Sequence, residues 1–372
     1  MFPGEWMAAV QSTGLWERRW LTATQSFVFI LLAGIVLLLL VQLVYHSIMS
    51  NRAQQSNRIK LSILNAVAQY NMAADKQECA TVRIPSHNVL FDRRGLAILA
   101  EVFDELSEPN RETLRKILVN MDATAHISRQ MDTQNSDYLV EIIRMAGDMD
   151  LVGLDDRIAT LMYTHRDNVN LQFEAFLALS KMGSGEHIRK VCMDEQFAKL
   201  LSFRSLQQVL GVFTGDKEAL YGELLASPDA YVVRICIRRA GIDGLDSLAD
   251  KILPLLDSDN FNVVIDAARA MGHLGYLPAA QKVAGLLTHE RWEVRSVAAT
   301  AMDSLDRDSY LDPLVDALQD REWQVRYNTA ATLRHSARLD EVRDKVHACG
   351  DRYALEMLEY MAQTAEIWRR AE

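Results

Sequence analysis

The hydrophobic pattern near the start of the chain predicts a membrane-spanning helix. No Asp, Glu, Lys or Arg occurs in residues 20–51, and an almost uninterrupted apolar run occupies residues 27–44. About 20 apolar residues are enough to cross a hydrocarbon core. We therefore predict a tail at residues 1–20 and a single transmembrane helix at 21–50, with residues 24–48 in the lipid bilayer.

A cleaved signal peptide is the competing interpretation of this stretch. It requires a shorter apolar core and a small-residue cleavage site, and residues 44–50 offer a poor one, so an uncleaved anchor in the inner or plasma membrane is favoured. Basic residues flank the helix on both sides: Arg18, Arg19, Arg52, Arg58 and Lys60. Their balance favours the cytoplasmic side for everything C-terminal to the helix.

The pattern after the apolar run predicts a stalk helix at 51–78 and an irregular linker at 79–95. Ile59, Ile63, Val67 and Tyr70 form one apolar stripe at helical spacing. The stripe predicts packing on the chain's own first helices, with a dimer or a foreign helix as the alternatives. The linker contains turn-forming residues and a possible strand at 81–84, and a role in partner binding stays open for it.

The C-terminal two-thirds of the chain repeats a pattern of apolar and small residues. Four segments align at residues 231–241, 261–271, 292–302 and 323–333, with anchor valines Val233, Val263, Val294 and Val325. The steps between these valines are 30, 31 and 31 residues, a period typical of solenoids. Extending the step backward reaches apolar helical patterns near residues 202, 171 and 140. We predict an all-α fold, with about seven helix pairs between residues 110 and 350.

These repeats resemble a known family. The segment 292–302, with its aromatic-x-Val-Arg start and its Ala-Ala-x-Ala continuation, resembles the short HEAT repeat first associated with phycobilisome lyases. Two segments depart from the pattern, since Val264 stands at the usual Arg and Ile237 and Arg238 replace small residues. The resemblance implies a HEAT-like α-solenoid, which we place at 96–350, with a capping helix at 351–372.

Two series of side chains are candidates for partner binding. An aromatic residue precedes each anchor valine: Tyr231, Phe261, Trp292 and Trp323. Aromatic residues dominate binding surfaces, but the same positions can pack on the preceding helix pair. The arginines after the anchor valines are Arg234, Arg295 and Arg326. They predict an ion-pair ladder between repeats, using acids of the preceding turns, with an anion-binding strip as the alternative.

Composition narrows the possible functions. The net charge of −10 argues against a nucleic-acid surface as the main purpose. The four cysteines are scattered without metal-ligand or disulfide spacing, and no catalytic motif occurs. We therefore expect no catalytic residue, no cofactor and no metal.

The sequence favours a scaffold or adaptor over an enzyme. A membrane-anchored solenoid would recruit or organise protein partners at the membrane, for example in an envelope-glycan synthesis or secretion assembly. The alternative is a phycobilisome-lyase-like enzyme, or a HEAT protein that binds a chromophore or another small molecule. Self-association through the membrane helix and stalk is a third possibility.

Overall fold

The computed structural model describes the backbone of residues 4–73, 76–85, 87–151, 153–194 and 202–371. These residues form helices and contain no strand. The chain divides into two compact units, Met1–Met121 and Asp122–Glu372, and each is described by itself.

The first unit contains one very long helix and four shorter ones. They are α1 Gly4–Met72, α2 Lys76–Thr81, α3 His87–Leu90, α4 Arg93–Glu105 and α5 Glu108–Asn120. At 69 residues, α1 is about 100 Å long. It contains no proline, so nothing interrupts its hydrogen bonds between the predicted tail, membrane helix and stalk. Within the described residues, Gly34–Met72 is the one helical segment that is long and apolar enough to cross a membrane, by length and composition.

The apolar stripe of the predicted stalk packs as expected. Ile59, Ile63 and Val67 are buried where α1 meets α4 and α5. Polar contacts lie at the end of the stripe, where Thr113 donates to Asn71 Oδ1 at 2.9 Å. The prediction that this stripe covers the chain's own first helices is confirmed.

The linker is shorter than predicted, and its described residues contain no strand. Thr81 ends α2, and the buried Ile84 directs its backbone N–H to the sulfur of Met121 at 3.3 Å rather than to a neighbouring strand. Asp92 caps α4 by accepting hydrogen bonds from two backbone N–H groups. A Cβ on Gly95 would lie 2.1 Å from the carbonyl oxygen of Val89, so close packing explains this glycine better than a loop does.

The second unit is a double row of helices. In chain order they are α6 Ala123–Gln130, α7 Ser136–Asp148, α8 Asp155–Thr164, α9 Val169–Lys181, α10 Gly185–Met193, α11 Phe203–Gly211, α12 Lys217–Leu224, α13 Ala230–Asp243, α14 Ala249–Ile252, α15 Phe261–Leu274, α16 Ala280–Gly285, α17 Trp292–Ala301, α18 Leu311–Ala317, α19 Trp323–Leu333, α20 Leu339–Cys349 and α21 Arg352–Ala371. Short 3-10 turns flank α14 and α16 and precede α18. From α7 onward, each odd-numbered helix packs against the next odd-numbered helix and against an even-numbered partner.

The described residues of this unit therefore form an α-solenoid of stacked helix pairs, the architecture that the periodicity predicts. Because α4 and α5 group with α1 instead, the row of pairs begins later than residue 96. At the other end, α21 buries Ala354, Leu358 and Met361 on one face and packs on α19, as expected of a terminal cap.

The last four odd-numbered helices repeat with a constant step. They begin at residues 230, 261, 292 and 323, so each step is 31 residues. The first anchor is consequently Val232, which is fully buried, and the alignment of Val233 with the other anchors is wrong by one residue. The backward step to residue 202 reaches the position just before α11, where the Ser202 side chain caps the helix by accepting a hydrogen bond from the backbone N–H of Ser205.

Small residues allow the odd-numbered helices to approach closely. A Cβ on Gly272 would lie 2.9 Å from the Cα of Ala301, and one on Gly241 would lie 3.0 Å from the Cα of Ala270. Both glycines are the twelfth residue of their helix, and both alanines are the tenth. Gly147 meets Ala178 in the same way between α7 and α9. The early, weakly patterned repeats therefore pack with the same geometry as the later ones.

Candidate functional site

The exposed side of α13, α15, α17 and α19 carries a cluster of arginines around one buried carboxylate. Asp266 lies on α15 and is fully buried. Its Oδ2 accepts a hydrogen bond from Arg234 Nε at 2.8 Å, and its Oδ1 accepts one from Arg238 Nε at 2.7 Å. Arg269 Nη1 approaches Oδ1 at 3.4 Å. Within the described residues, Asp266 is the only carboxylate paired with any of these three arginines.

The arginine cluster is therefore incompletely neutralised. One carboxylate faces three guanidinium groups, and the side chains of Arg238 and Arg269 remain 32% and 44% exposed. Because Arg234 and Arg238 use their Nε atoms on Asp266, their terminal nitrogens stay available to a further acceptor. A guanidinium presents its donors in a planar fork that matches carboxylate geometry.

Aromatic rings support the cluster from one side. The guanidinium carbons of Arg234 and Arg238 lie 5.2 Å and 5.5 Å from the ring centroid of Phe203. This is the distance range of cation–π contacts. Tyr231 meets Phe203 edge to face, at 5.6 Å between centroids, and is 52% exposed. The Phe203 ring therefore packs against the guanidinium groups of Arg234 and Arg238, and Tyr231 packs against the Phe203 ring.

A small cavity continues this surface along the next helices. It has a volume of about 220 Å³. Six of the residues that line it are Arg269, Gly272, His273, Thr300, Ala301 and Asn328. Asn328 Nδ2 donates to Ser296 Oγ at 2.8 Å, which fixes α19 against α17. Arg269 belongs to both the cluster and the cavity and so joins the two.

Beyond the cavity, two aromatic rings lie at the surface of α19. Trp323 is 54% exposed and stacks on Tyr327, with centroids 5.0 Å apart and planes 29° apart. We call the surface formed by Tyr231, Arg238, Arg269, His273, Trp323 and Tyr327 the arginine–aromatic face.

The other predicted partner-binding residues have different environments. Trp292 is 39% exposed. Phe261 is partly buried, and the guanidinium carbon of Arg291 lies 4.2 Å above its ring. Arg326 Nη1 donates to the carbonyl oxygen of Asp320 at 2.6 Å. These contacts leave the two tryptophans and Tyr231 as the more accessible members of the aromatic series.

Arg295 is buried in a ladder between repeats. Its Nε and Nη2 donate to the carboxylate of Asp320 at 2.6 Å and 2.9 Å. Its Nη1 donates to the carbonyl oxygens of His289 and Glu290. The ladder thus takes its carboxylate from the following repeat and only backbone carbonyls from the preceding turn. Our expectation that acids of the preceding turn supply it was wrong for Arg295.

Arg234 does not belong to the same series as Arg295 and Arg326. It is the fifth residue of α13, whereas Arg295 and Arg326 are the fourth residues of α17 and α19. One residue rotates a helical side chain by about 100°, which directs Arg234 to Asp266 rather than to the preceding turn. The anion-binding alternative consequently concerns Arg234, Arg238 and Arg269. Arg295 forms the ion pair between repeats, whereas within the described residues Arg326 donates to backbone carbonyl oxygens of the preceding turn.

Two of the four cysteines, Cys192 and Cys236, are poorly placed for covalent chemistry. Burial raises the pKa of the Cys192 thiol to about 12 and that of Cys236 well above its usual value, and the thiolate is the nucleophilic form. Within the described residues no group of three or more His, Cys, Asp or Glu lies close enough to hold a metal ion.

Comparison with known proteins adds no family. No protein-family model matches the chain, and neither does any curated protein sequence. Three similar solved structures are an engineered structural-genomics protein, a Kap121p mutant and importin beta. They share 14%, 13% and 14% identity with TM-scores of 0.39, 0.43 and 0.38, and they cover 81%, 73% and 77% of this chain. The matches cover 98% of the engineered protein but only 37% of the Kap121p chain and 48% of importin beta. At identities and TM-scores this low, the three structures carry no information about the function of this chain.

Proposed function

We propose that this protein is a membrane-anchored scaffold that binds an acidic segment of a partner protein on the arginine–aromatic face. The observation that carries the proposal is the sharing of Asp266 by three arginines, two of which keep donors at the surface. An acidic side chain of the partner would complete the neutralisation that Asp266 begins. If further carboxylates of this chain paired with Arg238 and Arg269, these arginines would have no donors left for a partner.

The aromatic residues supply the apolar part of the same surface. Exposed Trp and Tyr side chains at a shaped surface are the residues on which binding energy concentrates. Trp323 and Tyr327 lie at one end of the face and Tyr231 lies near the other, with the cavity lined by His273 between them. A partner segment that places acidic residues near Arg238 and apolar residues near Trp323 would use both kinds of contact.

The membrane anchor determines where this binding takes place. The described side chains of residues 31–55 are exposed throughout, which suits a helix whose surroundings are lipid. Confinement to one membrane raises the effective concentration of the scaffold for partners at that membrane. The basic residues after the apolar run, Arg52, Arg58 and Lys60, support a cytoplasmic position for the solenoid. We therefore propose that the partner belongs to a membrane-associated assembly.

Affinity purification of the full-length chain from its own cells, in mild detergent, tests the proposal. The wild-type chain is compared with R238E/R269E, which reverses two charges of the face without removing Asp266. The expected result is loss of the partner that co-purifies with the wild type. The wild-type interaction should also weaken as salt concentration rises, because exposed ion pairs are screened.

A matched charge reversal at Arg129 and Arg144 serves as the control. Both residues are exposed and lie on α6 and α7, away from the arginine–aromatic face. The proposal predicts that R129E/R144E retains the partner. Equal loss in the two variants, or equal retention, would show that the arginine–aromatic face is not the binding surface.

A further inference from the structure

A pocket in the first unit lies just beyond the apolar part of α1. It has a volume of about 570 Å³ and lies between α1 and the segment that contains α3 and α4. The buried side chains of Ile59 and Ile98 and the exposed side chain of Val89 give it an apolar floor. Its polar rim carries Arg52, Arg58 and Arg94.

The charges of this pocket are unbalanced. Three arginines face it, and Asp92 is the one acidic residue in the lining. The Asp92 Oδ1 atom is already engaged, since it accepts hydrogen bonds from the backbone N–H groups of Arg94 and Gly95 at 2.9 Å and 2.8 Å. Within the described residues, none of the three guanidinium groups has a carboxylate partner. The rim therefore suits an anion.

The position of the pocket along α1 matches a lipid headgroup layer. The last residue of the predicted lipid-embedded stretch is residue 48, and Arg52 follows it by about 6 Å along the helix axis at 1.5 Å per residue. The headgroup layer adds roughly 5–8 Å to each side of the hydrocarbon core. Arg58 lies farther along α1, and the long side chains of arginines reach toward such a layer.

We infer that this pocket binds the headgroup of an anionic phospholipid. The phosphate is held by Arg52, Arg58 and Arg94, and the part of the headgroup that projects beyond the phosphate, away from the bilayer, lies against Ile59, Ile98 and Val89. Charge complementarity and continuity with the apolar stretch of α1 identify the occupant. The inference rests on the proposed membrane anchor. Free inorganic phosphate offers the same charged group without the rest of the lipid, so the test separates the two sources.

The test uses the full-length chain in nanodiscs made from a mixture of phosphatidylcholine and phosphatidylglycerol. Native mass spectrometry measures how strongly phosphatidylglycerol is enriched among the lipids that stay bound. We expect phosphatidylglycerol to be enriched on the wild type. Each single Arg→Gln change at Arg52, Arg58 or Arg94 should lower this enrichment about fivefold, because one basic residue near an anionic surface contributes about that factor. The control R129Q/R144Q/R204Q removes three exposed positive charges elsewhere and should leave the enrichment unchanged.

A second variant separates a built pocket from diffuse attraction. Ala97 lines the pocket and is exposed on α4, so A97W fills the space while keeping every charge. Loss of enrichment in A97W supports the pocket. Enrichment equal to that of the wild type in A97W, or in R52Q/R58Q/R94Q, overturns it.

Two further arms complete the test. In the first, inorganic phosphate is added to the chain in nanodiscs of pure phosphatidylcholine, and the melting temperature is measured. If phosphate raises the melting temperature there, and the mixed nanodiscs show no phosphatidylglycerol enrichment, the lipid inference is overturned in favour of a free anion. Resistance to alkaline carbonate in neutral vesicles is measured separately. Extraction by carbonate overturns the anchor and the lipid site together, whereas retention without enrichment overturns the lipid site alone.

Discussion

Arg295 binds both carboxylate oxygens of Asp320, a residue 25 positions later that lies in the loop before α19. The two bonds measure 2.6 Å and 2.9 Å, and both side chains are nearly buried. The remaining nitrogen of Arg295 donates to two carbonyl oxygens of the loop before α17. One side chain thus connects the loops of two successive repeats, and the stability of this part of the solenoid should depend on it.

Replacement of Asp320 by Asn is expected to destabilise the second unit by about 2–3 kcal/mol. The change keeps the shape of the side chain but leaves a nearly buried guanidinium without its charge partner. Urea unfolding of the full-length chain in detergent measures the change. The matched control is D312N, since Asp312 in the same repeat pairs with Lys345 at the surface, and exposed pairs contribute little. Equal effects of the two substitutions would contradict the role given to Arg295.

The same pair predicts a pH dependence. Burial alone raises the pKa of Asp320, but hydrogen bonds from Arg295 and from the backbone N–H of Glu322 outweigh it and leave the pKa below its usual value. A carboxyl group with a lowered folded-state pKa stabilises the fold above its unfolded pKa of about 3.9 and loses this contribution as the pH falls through the folded pKa. The difference in melting temperature between wild type and D320N should therefore be constant near neutral pH and shrink below about pH 4. A difference that grows on acidification would contradict the assignment.

Replacement of Gly272 by Val is expected to destabilise the packing of α15 on α17 by a similar free energy. A Cβ at this position would lie 2.9 Å from the Cα of Ala301, so G272V forces α15 and α17 apart and should cost about 1–3 kcal/mol. Gly285 provides the control, because within the described residues no atom outside its own stretch of helix lies within 4 Å of its Cβ position. G285A should be neutral or slightly stabilising, since alanine favours a helix more than glycine does. Hydrogen exchange of α15 and α17 would locate the loosening, and unchanged exchange in G272V would show that the contact is not needed.

The sequence predicted the repeating helix pairs because their small and apolar residues recur at a constant period. It misaligned the first of the four clear repeats by one residue, since Val232 and Val233 are both apolar and either fits the pattern. Only the helix starts and the Gly241–Ala270 contact fix the alignment. That single residue decides the direction of Arg234, so the sequence grouped three arginines that the structure separates into a ladder and a surface cluster.

The rest of the arginine–aromatic face depends on contacts that the period does not encode. Asp266 was the one member of the face that the sequence could have indicated. It is a lone acidic residue among Val264, Ala267 and Ala268, and an acidic residue on an otherwise apolar helix face needs a charged partner. Phe203 lies outside the clear repeats, and its place beneath Arg234 follows from how α11 packs on α13. The order of residues alone could not predict this contact between distant side chains.

Cys349 offers a direct measurement of the predicted topology. It is the exposed cysteine among the four, whereas Cys192 and Cys236 are buried and Cys79 is partly buried. A membrane-impermeant maleimide should label Cys349 in inverted membrane vesicles but not in intact cells if the solenoid is cytoplasmic. The variant C349S controls for labelling of Cys79. Labelling in intact cells would place the solenoid on the opposite side.

Trp323 and Tyr327 should affect partner binding without affecting stability. Trp323 is exposed and stacks on the partly exposed Tyr327. The double variant W323A/Y327A therefore removes mainly surface contact, and surface changes usually shift stability by less than about 0.5 kcal/mol. If these rings anchor a partner, truncation should reduce the amount that co-purifies by about 30-fold, which corresponds to a binding hot spot of about 2 kcal/mol.

Val325 supplies the opposite control for this last experiment. It lies on the same helix between the two aromatic residues and is fully buried, so V325A should lower stability by about 1–2 kcal/mol and leave the surface unchanged. Quantitative mass spectrometry of the co-purified partner and a melting curve are measured for both variants. Binding that follows stability across the two variants would mean that Trp323 and Tyr327 only support the fold, whereas loss of binding in W323A/Y327A at unchanged stability would assign them to the partner.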